Sequence, residues 1–432
     1  MTELKLSEYA NGAWRDFSLY TIENRAIPSL VDGFKPVQRF IMYSALKNAK
    51  DRMLKVSALA AVAEYGYHHG DAPAQDAARA MAADWCNNQP FLLGDGNFGD
   101  RLVNEPAAPR YVFAKVNPEF FKLYKDFDLC PTHEDEEHIP PAYYLPIIPT
   151  VLLNGISGIA TGYATDILPY SVADVSKLCK LYVAGKDIST TEIHPTFYGF
   201  KGQVVPNDKG GYDQIGTYEL IGKTTMVITE VPFKFQRETY IKVLDDLEEA
   251  GLILGYDDQC DDSGFKFRVN LKRGMDTKKP DDLIKMFKLR ASVSQNLVVL
   301  DQNRKLRKFD TVQELIKEFC DFRMPFYAER IRVRLADATK RRAIAIAKIK
   351  FIQMVLDNKL VFKGKSKVEL TDELAQKFDL ELIPYLLGMD FYALTQDEIK
   401  KQMETAKALD TEQNYWKMAT PEDQFQKDLK EL

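Results

Sequence analysis

Residues 311–359 carry the pattern that most limits what this chain can fold into. Ala328, Ile331, Leu335, Ala338, Ala345, Ile349, Ile352 and Leu356 fall on an alternating three-four spacing, broken only by Arg342. That spacing keeps an apolar stripe on one side of an α-helix, and a stripe this long needs another helix to cover it. Residues 395–407 offer one, opened by the capping pair Thr395 and Glu398, and predict an antiparallel return. Pro325 predicts a break or kink near the start of the long helix. Between the two, Leu382-Ile383-Pro384-Tyr385-Leu386-Leu387-Gly388-Met389 is too apolar for a plain connecting loop.

The rest of the chain leaves room for one or two more domains, since 432 residues with 45% hydrophobic content can build that many cores. The net charge of −5 carries no global nucleic-acid signature, so any DNA contact must come from local patches. Cys86, Cys130, Cys179, Cys260 and Cys320 are scattered without paired metal spacing, which suits a reducing cytosol. No apolar run reaches about 18 residues and the N-terminus lacks a signal-peptide core. A soluble, intracellular protein with no membrane partner is expected.

Residues 1–24 show no clear period and read as an arm. From Asn24 to Arg39, two prolines and a glycine shape an ordered loop, with Pro36 starting a helix. Arg25, Lys35 and Arg39 are spaced to bring three cations to one phosphate strand, although a solvated charged loop has the same composition. An alanine-rich helix over residues 57–63 ends in Tyr65-Gly66-Tyr67-His68-His69-Gly70. Asp71 then reads as an N-cap for a second alanine-rich helix over residues 74–85. Helix, short glycine turn, helix is the helix-turn-helix pattern. The pair His68-His69 lacks a third ligand nearby, so donors that hold a phosphate or position a tyrosine are preferred over metal ligands. His133 and His138 are five apart, about 140° around a helix, which is the wrong spacing for a zinc helix; a solvated acidic loop is expected there.

Gly94-Asp95-Gly96-Asn97-Phe98-Gly99 follows the apolar Phe91-Leu92-Leu93 and matches the dinucleotide fingerprint G-x-G-x-x-G. That fingerprint requires a helix after the third glycine, and Pro106 and Pro109 interrupt the span. The glycines read better as a turn leading to Ala107-Ala108-Pro109-Arg110-Tyr111. A free phenol titrates near pH ~10, so roughly one in a thousand is ionised at neutral pH. A guanidinium beside it favours the phenolate and binds phosphate bidentately, as attack on a phosphodiester requires. Arg-Tyr is also a common chance dipeptide, and taken alone it decides nothing.

Taken together, the stretches resemble, in order and spacing, the breakage-reunion part of type IIA DNA topoisomerases. The resemblance rests on Ile27-Pro28-Ser29-Leu30-Val31-Asp32-Gly33-Phe34-Lys35-Pro36, Tyr67-His68-His69-Gly70-Asp71, Gly94 to Gly99, Ala107 to Tyr111, and the block from Tyr143 to Gly162. It covers nearly the whole chain, leans toward the eukaryotic branch, and in its short separate chain is similar to the bacteriophage members. It implies an α+β multidomain fold: arm 1–24, a winged-helix breakage-reunion domain 25–165, an α+β tower domain 166–308, and a coiled coil with a C-terminal dimer gate 309–432. Tyr111 is expected as the nucleophile of a 5′-phosphotyrosyl link and Arg110 as its charge stabiliser. Arg25, Lys35, Arg39, His68 and His69 are expected to hold or assist phosphates. Ile159 falls where the family inserts an apolar wedge, a residue that sequence alone would assign to a core.

The resemblance also marks departures. Phe40 replaces a second basic residue, Pro109 a methionine of bacterial relatives, and Ala72 a serine linked to quinolone binding, with Asp76 keeping the acidic partner. Asp126-Phe127-Asp128 has the spacing of the family's metal-binding pair without its glutamate, and no ATP lid is present. Mg2+ and ATP are therefore expected on a partner ATPase and metal-binding subunit, with double-stranded DNA as substrate and a homodimer as the assembly. Relaxation or decatenation in the host-cell cytoplasm is expected. Lys266, Arg268, Lys272, Arg273, Lys278, Lys279, Lys285, Lys288 and Arg290, followed by Arg304, Lys305, Arg307 and Lys308, make the tower region locally basic, either a solvated face or a bed for bent duplex. Two other classes stay open: a DNA-bending architectural protein without chemistry, and an oxidoreductase resting on Gly94, Gly96 and Gly99.

Overall fold

The computed structural model describes residues 10–362 and 364–432, and these divide into two compact units. The first runs to Arg323 and takes back Asp428–Leu432; the second is Met324–Lys427. The first nine residues of the expected arm lie outside the described residues. The rest of it is ordered as helix: α1 (Arg15–Thr21) continues as a π-helical turn over Ile22–Ala26.

Three further helices gather beside a small sheet. Helix α2 (Pro36–Asn48) begins on its proline, where the missing N–H costs nothing, and buries Phe40, Ile41, Met42 and Ala45. The expected helix over 57–63 is only one turn, α3 (Val56–Leu59). Helix α4 (Asp71–Ala82) starts three residues earlier than expected, with Gly70 rather than Asp71 as N-cap, and buries Ala74, Ala78, Met81 and Ala82. Strands β1 (Leu54–Lys55), β2 (Leu92–Asp95) and β3 (Phe113–Val116) form an antiparallel sheet with β3 in the middle. Behind it lies an aromatic core in which Tyr124 stacks on Phe120 at 4.2 Å and on Phe34 at 5.6 Å.

Strands β4 (Ile156–Ala160) and β5 (Tyr163–Ile167) make a hairpin closed by Thr161 and Gly162. After it come β6 (Gln203–Pro206), β7 (Tyr212–Ile215), β8 (Thr217–Ile221), β9 (Thr225–Glu230), α5 (Arg237–Glu249), β10 (Ile253–Asp258), β11 (Phe267–Leu271) and β12 (Arg290–Val293). They build a four-stranded sheet in the order β8-β9-β11-β10 and a three-stranded sheet β12-β7-β6. Alternation along β9 and β11 puts Met226, Ile228, Phe267 and Val269 against Tyr240 and Leu244 of α5. This is the α+β region expected from the strand signals.

In the second unit the dominant element is α6 (Val312–Leu356), 45 residues that begin in the first unit and run through Pro325 without ending. Of the expected break or kink, a break does not occur; the unit boundary falls beside the proline. Of the apolar stripe, Ala338, Ala345 and Ile352, each seven residues apart, are buried, whereas Ala328 and Leu356 are exposed. Helix α7 (Gln396–Met418) is capped as expected, Thr395 Oγ1 accepting from the Glu398 amide at 3.2 Å, but is eleven residues longer than its apolar pattern. It runs antiparallel to α6: Thr339 meets Gln413 at 2.7 Å, Arg341 meets Glu412 at 2.8 Å and Arg342 meets Asp410 at 2.9 Å. The apolar stretch 382–389 is partly a local core, with Ile383 and Leu386 packed beside Phe351 and Leu374. The most exposed apolar groups next to it are Phe391 and Tyr392, 82% and 90% accessible, with Leu380 on its other side also exposed. Among the described residues no helix is long and apolar enough to cross a membrane.

Candidate functional site

Tyr111 stands on a tight loop directly before β3 and is 66% exposed, unusual for a tyrosine flanked by the buried Val112. The loop is pinned on several sides. The Tyr111 amide donates to the Ala108 carbonyl at 2.9 Å, and the Ser57 and Val56 amides of α3 donate to Pro109 and Val112 carbonyls at 3.2 and 3.0 Å. Arg79 of α4, ion-paired to Asp76, donates to the Ala107 carbonyl at 3.0 Å. The helix after the glycine turn and the tyrosine loop are therefore held in one register. Arg110 lies 4.7 Å over the Tyr111 ring, and its hydrogen bond, then its charge, pulls the phenol below the usual tyrosine range.

The Gly94–Gly99 segment braces this loop from the other side. At Gly99, with φ of +82°, a Cβ would lie 2.6 Å from the Asn104 carbonyl oxygen, so only glycine lets the two strands of the turn approach. The Ala107 amide donates to the Asn97 carbonyl at 3.0 Å. No helix follows before Phe120, so the geometry of a dinucleotide site is not present and the oxidoreductase reading loses its basis.

A second cluster surrounds a cavity of about 490 Å³ lined by Arg25, Lys35, Tyr67, His69, Gly70, Pro73 and Ser157, among others. Arg25 Nη2 is 2.7 Å from His69 Nδ1, and Tyr20 of α1 places its hydroxyl 2.8 Å from His69 Nε2. Burial, then the Arg25 charge, lowers the His69 pKa below its ordinary value. Lys35 donates to the Ser157 carbonyl at 2.6 Å, and burial lowers its pKa as well. Gly158 lets the β4–β5 hairpin press against this cluster, since a Cβ there would sit 2.1 Å from the Ala26 carbonyl oxygen.

Arg39 is placed differently from Arg25 and Lys35. Its fork is bidentate on Asp32, at 2.7 and 3.0 Å, and Asp32 is fully buried. His68 faces Glu137 at 3.3 Å, and both are well exposed. Phe40 is buried against Tyr67 and His138, each ring 5.5 Å away, so the departure from a basic residue is a packing choice. Ile159, near the tip of the β4–β5 hairpin, is 88% exposed rather than in a core.

The basic residues of the α+β region and of the β-hairpin after it are exposed, and some are paired: Arg290 with Asp281 at 3.2 Å, Arg304 with Glu23 at 3.0 Å and Arg307 with Glu318 at 3.3 Å. Among the described residues no group of three or more His, Cys, Asp or Glu side chains is arranged to hold a metal ion. Asp126 of the Asp-Phe-Asp triplet is instead clamped to the buried Arg323 at 2.5 Å. Sequence reading missed Tyr20, Asp32 and Arg79. Asp32 was within reach, as a lone acid in an otherwise apolar and basic loop; Tyr20 and Arg79 carry no local signal.

Residues 25–431 match the family of the A-type subunit of DNA gyrase/topoisomerase IV. The chain is 44% identical over 428 residues to the DNA topoisomerase medium subunit of Enterobacteria phage T4, covering 96% of both. It is 29% identical to DNA topoisomerase 2 of Plasmodium falciparum, but spans only 34% of that protein's length. The crystal structure of the P. falciparum topoisomerase II DNA-binding, cleavage and re-ligation domain superposes with a TM-score of 0.88 at 28% identity, over 99% of this chain and 64% of that one.

Proposed function

This chain belongs to the family of DNA gyrase/topoisomerase IV A-type subunits, the DNA-cleaving components of type II DNA topoisomerases, and we propose that Tyr111 is its nucleophile. The carrying observation is an exposed phenol, lowered in pKa by Arg110, on a loop that α4 holds by Arg79. The phenolate oxygen attacks a backbone phosphorus, the bond from phosphorus to the 3′ oxygen breaks, and that oxygen takes up a proton. The product is a 5′-phosphotyrosyl link. Reversal regenerates the phosphodiester without an energy source, because the bond count is conserved.

Arg110 stabilises charge on the phosphate during attack. Arg25, Lys35 and His69 line one cavity; the two cations bind the neighbouring strand phosphates and His69, with His68 beside it in sequence, assists them. Arg39 serves that cavity through Asp32, which fixes the turn carrying Lys35. Exposed Ile159 wedges between base pairs, where its lack of packing in this chain is offset by base contacts. The exposed basic side chains of the α+β tower bed the flanking duplex.

In the second unit, the α6–α7 pair acts as a coiled coil and Phe391 and Tyr392 meet a second copy, making a homodimer in which each protomer cuts one strand. Mg2+ and ATP belong to a partner subunit; among the described residues no cluster of acidic, histidine or cysteine side chains is arranged to hold the metal. We place the assembly in the host-cell cytoplasm, relaxing or decatenating DNA.

The test is covalent trapping. End-labelled duplex is incubated with the chain, its ATPase partner and Mg2+, then denatured. Label should stay on wild-type protein and vanish with Tyr111→Phe. Equal label with both proteins, or none with wild type, overturns the proposal and favours the architectural reading.

A further inference from the structure

The hydrogen bonds around His69 lead to a residue that the family reading leaves out. Arg25 presents Nη2 to His69 Nδ1 at 2.7 Å, and its Nε also lies in donor geometry 3.4 Å from the other ring nitrogen; the much shorter contact is the one that sets the tautomer. A guanidinium only donates, so the short contact makes Nδ1 the acceptor, and a neutral imidazole then carries its proton on Nε2. That N–H points at the Tyr20 hydroxyl oxygen, 2.8 Å away. Both ring nitrogens are thereby used within the protein. The remaining donor in the chain of bonds is the Tyr20 O–H, and Tyr20 is 41% exposed, so its hydrogen has an outer partner within reach. Tyr20 also packs its ring against His69 in a T-shaped contact at 5.9 Å, and Tyr67 makes a second one at 5.1 Å. The imidazole is held in one plane.

We propose that Arg25, His69 and Tyr20 form a directed relay whose terminal Tyr20 hydroxyl binds a DNA phosphate oxygen. The proposal rests on the cleavage reading above. It makes His69 an orienting group and moves the contact to the phosphate onto α1, the segment that composition alone described as an arm. Chains of this kind polarise each other, so the outer O–H is a stronger donor than an isolated phenol. The ligand fits the surroundings, because Arg25 and Lys35 line the same cavity and supply the charge, while Tyr20 supplies a neutral, directional bond.

The relay predicts a pattern across variants of the chain assembled with its ATPase partner, using one duplex oligonucleotide. Tyr20→Phe keeps the ring contact and removes only the hydroxyl. It should weaken DNA binding and slow single-turnover cleavage by about five- to tenfold, the scale of one hydrogen bond. The slope of log K against log salt should stay at the wild-type value, since no charge is lost, whereas Lys35→Gln should reduce it by about one. His69→Ala should cost a similar factor, and adding Tyr20→Phe to it should change the rate by less than about twofold, because the hydroxyl is already unoriented. Wild-type levels of binding and cleavage in Tyr20→Phe overturn the relay while leaving Tyr111 in place. Multiplying effects of the two substitutions overturn it as well. Failure of wild type itself to trap DNA overturns both readings.

Discussion

At the scale of single residues, electrostatics separates two kinds of arginine that look alike in sequence. Arg110 leaves its charge at the surface beside a phenol, and its effect is on ionisation. Its hydrogen bond and then its positive charge favour phenolate, so the Tyr111 pKa lies below the ordinary value, and removing the guanidinium must raise it. Arg110→Gln is expected to return the phenol to the usual tyrosine range and to shift the rising limb of the cleavage rate toward higher pH. Ultraviolet difference titration against Tyr111→Phe reads this directly. Arg39 spends its charge inside, on a carboxylate that also accepts from the Phe34 and Tyr144 amides at 3.2 Å each. Removing one partner of such a buried pair leaves an uncompensated charge, so Asp32→Ala should cost about 3–5 kcal/mol in urea unfolding. The sequence showed three cations and one lone acid in the same loop; that Asp32 is buried and draws Arg39 inward depends on Tyr124, Tyr144 and Thr150, which are far away along the chain.

At the scale of elements, the β4–β5 hairpin carries the clearest separation of stability from function. Ile159 is nearly bare, so Ile159→Ala should leave thermal stability within about 0.5 kcal/mol of wild type. The same change should reduce the bend of bound duplex, measured by energy transfer between end-labelled dyes. Unchanged bending would remove the wedge role. The neighbouring α4 was legible as a helix from its alanines and its glycine turn, but not its start: Gly70 takes the cap and Asp71 moves into the first turn. Likewise, the glycine run looked like a nucleotide fingerprint because glycine marks close approach of any kind. Here the close partner is the Asn104 carbonyl and not a phosphate.

On the whole-molecule scale, periodicity told most. The antiparallel helix pair was visible in the three-four spacing, and the α+β region in the alternating strands. What periodicity could not show is where the stripe stops being used: burial follows Ala338, Ala345 and Ile352 and leaves Leu356 in solvent. Ile352→Ala should therefore cost about 2–5 kcal/mol. Loss of the half-exposed Arg341–Glu412 pair by Arg341→Ala should cost no more than about 1 kcal/mol. The apolar stretch 382–389 was noticed for its composition, yet part of it fills a local core and the bare aromatics lie just beyond, at Phe391 and Tyr392. A double Phe391→Ser, Tyr392→Ser change is expected to halve the mass seen by light scattering while preserving the helical circular dichroism signal.

All of these readings converge on one bond between Tyr111 and DNA. Peptide mass mapping of the trapped complex, after nuclease digestion, tests it most directly. The account predicts nucleotide mass on the tryptic peptide that contains Tyr111, carried through a 5′ phosphate. Nucleotide mass on a different residue, or attachment through a 3′ phosphate, would contradict it.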